Sequence, residues 1–180
     1  MTPDRPIITE RLELRALEAG DADGPYGEWV RDPEVTRYLE IHFLDLGRDD
    51  LREYIQTMNA SSDNLFLGIF LRESDKHIGN IKLGPVIAAY KRAELGLMIG
   101  AKATWGKGYG TESIEAVSRY GFDVLGLHKV VAGCYSGNVA SAKAFLKLGF
   151  VKEGVQKDHW ISDGEWQDEF LLGRVTDRPD

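Results

Sequence analysis

The segment Trp105-Gly106-Lys107-Gly108-Tyr109-Gly110-Thr111-Glu112 sets glycines at three alternate positions directly ahead of a helix-like apolar pattern. An apolar run ending at Ile99 precedes it, so the order reads strand, tight glycine loop, helix N-terminus. Such a junction aims several backbone N–H groups and the positive end of a helix dipole at one point, which suits an anion, above all a phosphate.

Two nucleotide loops can be tested by spacing. A P-loop needs Ser or Thr after its lysine, but Lys107 is followed by Gly108. A dinucleotide loop needs Gly-x-Gly-x-x-Gly, and here the third glycine position is Thr111; the next strand ends at Tyr135, without the acid that binds a ribose. Both readings fail.

The 180 residues fit one domain with a sizeable core. Acidic side chains outnumber basic ones, 29 to 22, giving a net charge of −7, which argues against a broad nucleic-acid surface. The first ten residues lack the apolar centre of a signal peptide, and no run approaches a membrane span, so a cytoplasmic protein without membrane contact is expected. The single cysteine, Cys134, excludes an internal disulfide and lies in an apolar run, as a buried small hydrophobe would; no metal site is expected.

Working outward from the loop, alternation predicts a strand over 8–17, and capping signals predict helices over 21–30, 32–39 and 46–58. Strands follow over 65–72, 77–83 and 93–100, where Gly96 is a candidate bulge or close backbone approach. A helix over 110–125 carries Ile114, Val117, Tyr120, Gly121 and Val124 on its packing face. A strand over 128–135, a helix over 138–148 capped by Asn138 and ended by Gly149, and two strands joined at Ser162-Asp163-Gly164 complete the pattern, with a frayed tail at 176–180.

A second segment stands downstream of the glycine loop: Asn138-x-x-Ser141-x-x-x-Phe145-x-x-Leu148-Gly149-Phe150. The combination resembles the GCN5-related N-acetyltransferase (GNAT) superfamily, in which such a loop holds the pyrophosphate of acetyl-CoA. Thr9-Glu10-Arg11-Leu12-x-Leu14-Arg15, Asp32-Pro33-Glu34-Val35 and Phe150-x-x-Glu153-Gly154 with Asp168 also resemble its RimJ/RimL-like branch, which acetylates the N-termini of ribosomal proteins. The resemblance covers nearly the whole chain. It implies a single α/β (α+β) domain over residues 1–180, with a mixed, mostly antiparallel sheet, a splayed central strand pair and flanking helices.

It also implies roles for single positions. Backbone amides around Gly106, Lys107, Gly108, Tyr109, Gly110 and Thr111 would hold the pyrophosphate of acetyl-CoA, with Lys107 adding charge or standing as a solvated loop lysine. Trp105 occupies the place usually held by Gln or Arg; an indole cannot replace a guanidinium, so a packing role is expected there. Glu112 would repel phosphate and is read as a first-turn helix acid. Backbone groups near Leu97, Met98 and Ile99 would pair with the pantetheine arm, as a strand edge pairs with an added strand. Asn138 would cap its helix and touch the same arm.

The implied reaction is attack by a free amine on the thioester, without a covalent enzyme intermediate. The family's usual tyrosine acid falls on Phe145, which cannot donate. Ser141 lies one helical turn earlier on the same face and is the nearest donor; the alternative is a small residue that admits the donor molecule. Glu94 is a candidate base acting through water, or else a structural carboxylate. Glu40, His42, Asp158 and His159 belong to segments expected near the acceptor. The acceptor is an amine, either a protein N-terminus or a small molecule such as an amino sugar, and a homodimer is compatible with the family. A non-catalytic acyl-CoA sensor is the alternative, permitted by the missing tyrosine.

Overall fold

The computed structural model describes residues 1–176; part of the frayed tail expected from sequence, 177–180, lies outside the described residues. Eight strands form one sheet in the order β1-β2-β3-β4-β5-β6-β8-β7. They are β1 (Ile7–Ile8), β2 (Leu12–Arg15), β3 (Leu65–Leu71), β4 (Lys76–Leu83), β5 (Arg92–Ile99), β6 (Lys129–Tyr135), β7 (Val151–Ser162) and β8 (Glu165–Val175). All neighbours are antiparallel except β5 and β6, which run parallel. The helices are α1 (Tyr26–Trp29), α2 (Pro33–Thr36), α3 (Arg48–Ala60), α4 (Tyr109–Asp123) and α5 (Val139–Lys147). Among the described residues no helix is long and apolar enough to cross a membrane.

Both sheet faces are covered, which is why β3 is buried at every position. Ile114 and Val117 of α4 and Phe145 of α5 share one core with Ile81, Leu95 and Val130 of the sheet. Leu51 and Ile55 of α3 and Trp29 of α1 share the other with Phe66 and Phe70.

Several sequence expectations are corrected. The first strand is broken at Thr9, whose hydroxyl and amide both engage Leu12. The helix expected over 21–30 is a 3-10 turn (Ala19–Asp23) followed by the four residues of α1, since Gly24-Pro25 interrupts it. α2 stops at Thr36, and a separate 3-10 turn covers Glu40–Phe43. No bulge forms at Gly96: β4 and β5 keep an unbroken register from Gly79↔Ile99 to Leu83↔Leu95. The hairpin at Asp163-Gly164 is as expected, both residues holding positive φ (52° and 79°), as the two-residue turn requires.

The feature that positions the site is the parting of β5 from β6. They pair only at Arg92↔Lys129, Ala93↔Val130 and Glu94↔Val131. Beyond Glu94 the strands diverge. Gly84 N–H bonds Glu94 O at 2.7 Å and Gly100 N–H bonds Ile78 O at 2.9 Å, so by alternation the even-numbered residues of β5 serve β4. The backbone groups of Leu95, Leu97 and Ile99 therefore face the gap.

Candidate active site

Two cavities meet at this gap. The first, of about 530 Å³, lies on the side of the glycine loop and is lined by Leu97, Met98, Ile99, Trp105, Gly106, Gly108, Tyr109, Gly110, Thr111, Asn138 and Ser141. Every proposed donor-binding residue except Lys107 is on its wall. Lys107 is exposed and contributes its carbonyl to Arg11 Nη1 at 3.0 Å.

The loop is shaped for an anion. Gly106 (φ 73°) and Gly108 (φ 83°) take the left-handed conformation that glycine adopts without steric cost, and Gly108 is the N-cap of α4. The first amide of α4 with a backbone acceptor is that of Glu112, bonded to Gly108 O at 3.0 Å. The amides from Gly106 to Thr111 have no backbone acceptor among the described residues, and all of these residues but Lys107 line the cavity. Glu112 is turned away: its carboxylate takes the Thr9 hydroxyl at 2.6 Å and the Arg11 amide at 2.9 Å. Burial pushes its pKa up, but these bonds and the Arg11 guanidinium outweigh burial and hold it below the usual carboxylate value. Trp105 donates its indole Nε1–H to Ile99 O at 2.7 Å. That bond uses one carbonyl of the open edge and fixes the indole as part of the cavity wall.

Of the three β5 residues expected to offer backbone groups, Leu97 and Ile99 face the gap. Met98 lies at an even position, so its backbone belongs to the ladder with Asn80. Asn138 caps α5, its Oδ1 accepting Ser141 N–H at 3.1 Å. The Ser141 side chain lies beside the Cys134 thiol. Burial pushes that thiol above its ordinary pKa, so it stays protonated at neutral pH and is no nucleophile. Phe145 is buried and packs edge-on against Phe150 at 4.9 Å.

The second cavity, of about 620 Å³, occupies the sheet face beneath α3. Its floor includes Asn80 and Lys82 of β4, Glu94 and Gly96 of β5, Tyr135 of β6 and Glu169 of β8. Tyr38, Leu39, Leu97, Met98, Asn138 and Ser141 line both cavities. Glu94 is exposed, at the last paired position before the strands part. Glu40 is on the wall; His42 is turned to Thr36, its Nδ1 3.0 Å from Oγ1. Asp158 bonds through its amide to Asp168, and His159 lies beside Glu169.

Sequence reading misses Tyr38, Leu39 and Arg37 on the wall of the first cavity and Asn80 and Glu169 on that of the second. Arg37 is tied to the β7–β8 hairpin through Asp163 at 2.5 Å, and its carbonyl accepts the Ser162 hydroxyl at 3.2 Å. No local spacing announces these contacts. Only the alternation of β8 around the buried Leu172 could put Glu169 on a functional face.

Comparison with known proteins agrees with this geometry. Residues 11–151 match the family described as the acetyltransferase (GNAT) domain. An uncharacterised N-acetyltransferase, p20, of Bacillus licheniformis is 32% identical over 168 residues, covering 92% of this chain and 93% of that protein. The Escherichia coli [ribosomal protein uS5]-alanine N-acetyltransferase is 30% identical over 178 residues, covering 94% and 90%. The structure of RimL, a ribosomal alpha-N-protein acetyltransferase in complex with coenzyme A, superposes with a TM-score of 0.86 at 18% identity, covering 96% and 99%. The chain belongs to the GNAT family, in its RimJ/RimL-like branch, and is an acetyl-CoA-dependent N-acetyltransferase acting on an amine.

Proposed function

We propose that acetyl-CoA lies in the first cavity, the acceptor amine in the second, and that acetyl passes between them where β5 and β6 part. The observation that carries this reading is the shared wall: Leu97, Asn138 and Ser141 border both cavities. The free amides from Gly106 to Thr111 hold the pyrophosphate, and the outward backbone groups of Leu97 receive the pantetheine arm. The amine attacks the thioester carbon, the C–S bond breaks, and Ser141 delivers a proton to the departing thiolate. Phe145, with no proton to give, cannot do so.

The acceptor is the α-amine of a protein N-terminus. The acceptor cavity reaches the surface between the exposed residues Glu40, Leu44, Pro85 and Glu94, which lets an attached chain run outward. The E. coli relative named for an alanine of a ribosomal protein supports the same choice. The reaction takes place in the cytoplasm, where acetyl-CoA and newly made protein N-termini meet.

Release of free thiol from acetyl-CoA with an alanyl peptide, glucosamine and spermidine tests the reading. The peptide is expected to be fastest, and Ser141→Ala to lower kcat by about 100-fold with acetyl-CoA affinity unchanged. Binding of acetyl-CoA without thiol release for any acceptor would instead establish a sensor. Full turnover by Ser141→Ala would remove the serine from the chemistry.

A further inference from the structure

One wall of the acceptor cavity holds a carboxylate that no fixed cation among the described residues satisfies. Glu169 stands on β8 opposite Tyr135, with its side chain 14% exposed. Its Oε1 fills the space above Gly133, where any Cβ would collide with it. Position 133 lies on the stretch of β6 that has parted from β5, so the carboxylate overlooks the gap. Among the described residues no Lys or Arg pairs with Glu169. Its nearest basic neighbour is His159, whose Nε2 is 3.6 Å away, too far for a direct hydrogen bond. A carboxylate this sheltered ordinarily has a cationic partner, because taking it out of water is costly.

β7 is deformed at this point. Its register with β8 runs to Gln156↔Glu169 and resumes at Trp160↔Gln167, leaving Lys157, Asp158 and His159 outside the ladder. Asp158 takes a φ of 47°. Asp168 clamps the bulge: its Oδ1 accepts Asp158 N–H at 3.2 Å and its Oδ2 the Lys157 ammonium at 2.7 Å. Bulges re-aim side chains beside functional sites. Here the re-aimed side chain is His159, which stands edge-on to Trp160 at 4.7 Å and is 40% exposed.

Resting on the transfer reading above, we infer that Glu169 receives the acceptor as its ammonium and takes its proton, and that His159 passes this proton to solvent. The ammonium gives one proton to the carboxylate, which frees the nitrogen lone pair for attack. Ser141 gives its proton to the departing thiolate and takes the second nitrogen proton in its place, leaving a neutral amide, free thiol and an intact hydroxyl. The proton on Glu169 reaches His159 through a water bridging the 3.6 Å between them, so one proton is released for each acetyl transferred. Glu94 is less suited, being exposed at the rim.

Other titratable groups on this cavity's wall include Cys134 and Tyr135 of β6, Tyr38 packed against Tyr135, Glu40 of the 3-10 turn, Glu94 of β5 and Lys82 of β4. Burial pushes the Cys134 thiol up against the opposing Ser141 and Ala142 hydrogen bonds, and burial followed by the Glu40 and Glu169 carboxylates pushes the Tyr135 phenol up, so both stay neutral around pH 7.

The test is kcat/KM against pH for the wild type and Glu169→Gln, with the alanyl peptide, glucosamine and spermidine as probes. At pH 7 the variant is expected to lose about 100-fold. Without the carboxylate the rate follows the free-amine fraction, so the loss shrinks about tenfold per pH unit until the amine's own pKa is reached. Acetyl-CoA affinity stays unchanged, and His159→Gln shows a smaller loss that imidazole buffer restores. A loss equal at every pH marks a structural role and overturns the inference, as does no loss. A wild type that binds acetyl-CoA but acetylates none of the three amines overturns the transfer reading itself, and this role falls with it.

Discussion

Arg11 and Glu112, a hundred residues apart, are joined at three points: the Arg11 amide to Oε1 at 2.9 Å, and Nε and Nη2 to Oε2 at 2.7 Å each. The same guanidinium holds Lys107 O at 3.0 Å and lies 4.5 Å from the centre of the Tyr109 ring. The turn between β1 and β2 thus braces the glycine loop from behind. Glu112→Ala leaves the Arg11 amide without its acceptor and the Thr9 hydroxyl with only the longer 3.3 Å contact to Leu12 O, and is expected to cost about 2 kcal/mol, lowering Tm by about 4–8 °C. The Glu112 pKa is lowered in the fold, so its ionised form stabilises the protein above the unfolded value of 4.5, and this contribution disappears as pH falls through the folded value. The stability gap between wild type and Glu112→Gln, followed by urea unfolding, narrows on acidification; a gap constant from pH 7 to 3 would contradict the assignment.

Gly108 and Gly110 differ physically despite their shared motif. Gly108 has φ 83°, and Gly108→Ala should cost about 1–2 kcal/mol from the left-handed backbone. Gly110 lies in the first turn of α4, where a Cβ would make an ordinary 3.5 Å contact with Leu97 Cδ1. Gly110→Ala should therefore fold at least as well as wild type. Gly110→Asp sets a negative charge against the phosphates and should weaken acetyl-CoA binding more than tenfold, less so at high salt. Calorimetric titration distinguishes the three; equal acetyl-CoA affinity for Gly110→Asp and Gly110→Ala would refute the phosphate assignment.

At Gly96 a Cβ would meet nothing within 4 Å, although the residue lies on the floor of the acceptor cavity. Gly96→Val suits a strand and projects into that space. The acceptor KM should rise more than tenfold while the Kd for acetyl-CoA stays the same. An unchanged acceptor KM would move the acceptor elsewhere.

His77 is buried, stacked on Phe70 at 4.6 Å and edge-on to Trp29 at 4.8 Å. Its Nε2–H serves Gly79 O at 3.0 Å and Asn80 Oδ1 at 2.8 Å. Burial lowers its pKa below the ordinary 6.5, so below that pH the unfolded chain binds the proton that the folded one refuses. Stability is indifferent to this group above pH 6.5 and falls below it, by up to about 1.4 kcal/mol per pH unit. His77→Gln should start less stable but decline less between pH 6.5 and 5 in urea unfolding. Parallel declines would place the acid sensitivity in another group.

The glycine loop, α4 and the Asn138 cap are legible in the sequence because each depends on residues within a few positions of one another. The same holds for the hairpin at Asp163-Gly164. The short helices are harder, because Gly24-Pro25 breaks an apparently amphipathic run. The acceptor wall is the hardest to read. Glu169 acquires its setting from Gly133 on β6 and from a bulge in β7, and neither pattern is local to Glu169. Arg37 and Asp163 likewise meet only because the hairpin folds back on the end of α2.

The three-pair seam between β5 and β6 has a kinetic corollary. On one side of it the sheet runs from β1 to β5, on the other from β6 to β8 and β7, and on the proposed reading an extended donor arm laid in the gap would act as a ninth strand that laces the two together. Acetyl-CoA should then bind before the amine in an ordered sequence, and slow hydrogen exchange at Leu97 and Gly133 should appear with the first ligand rather than the second.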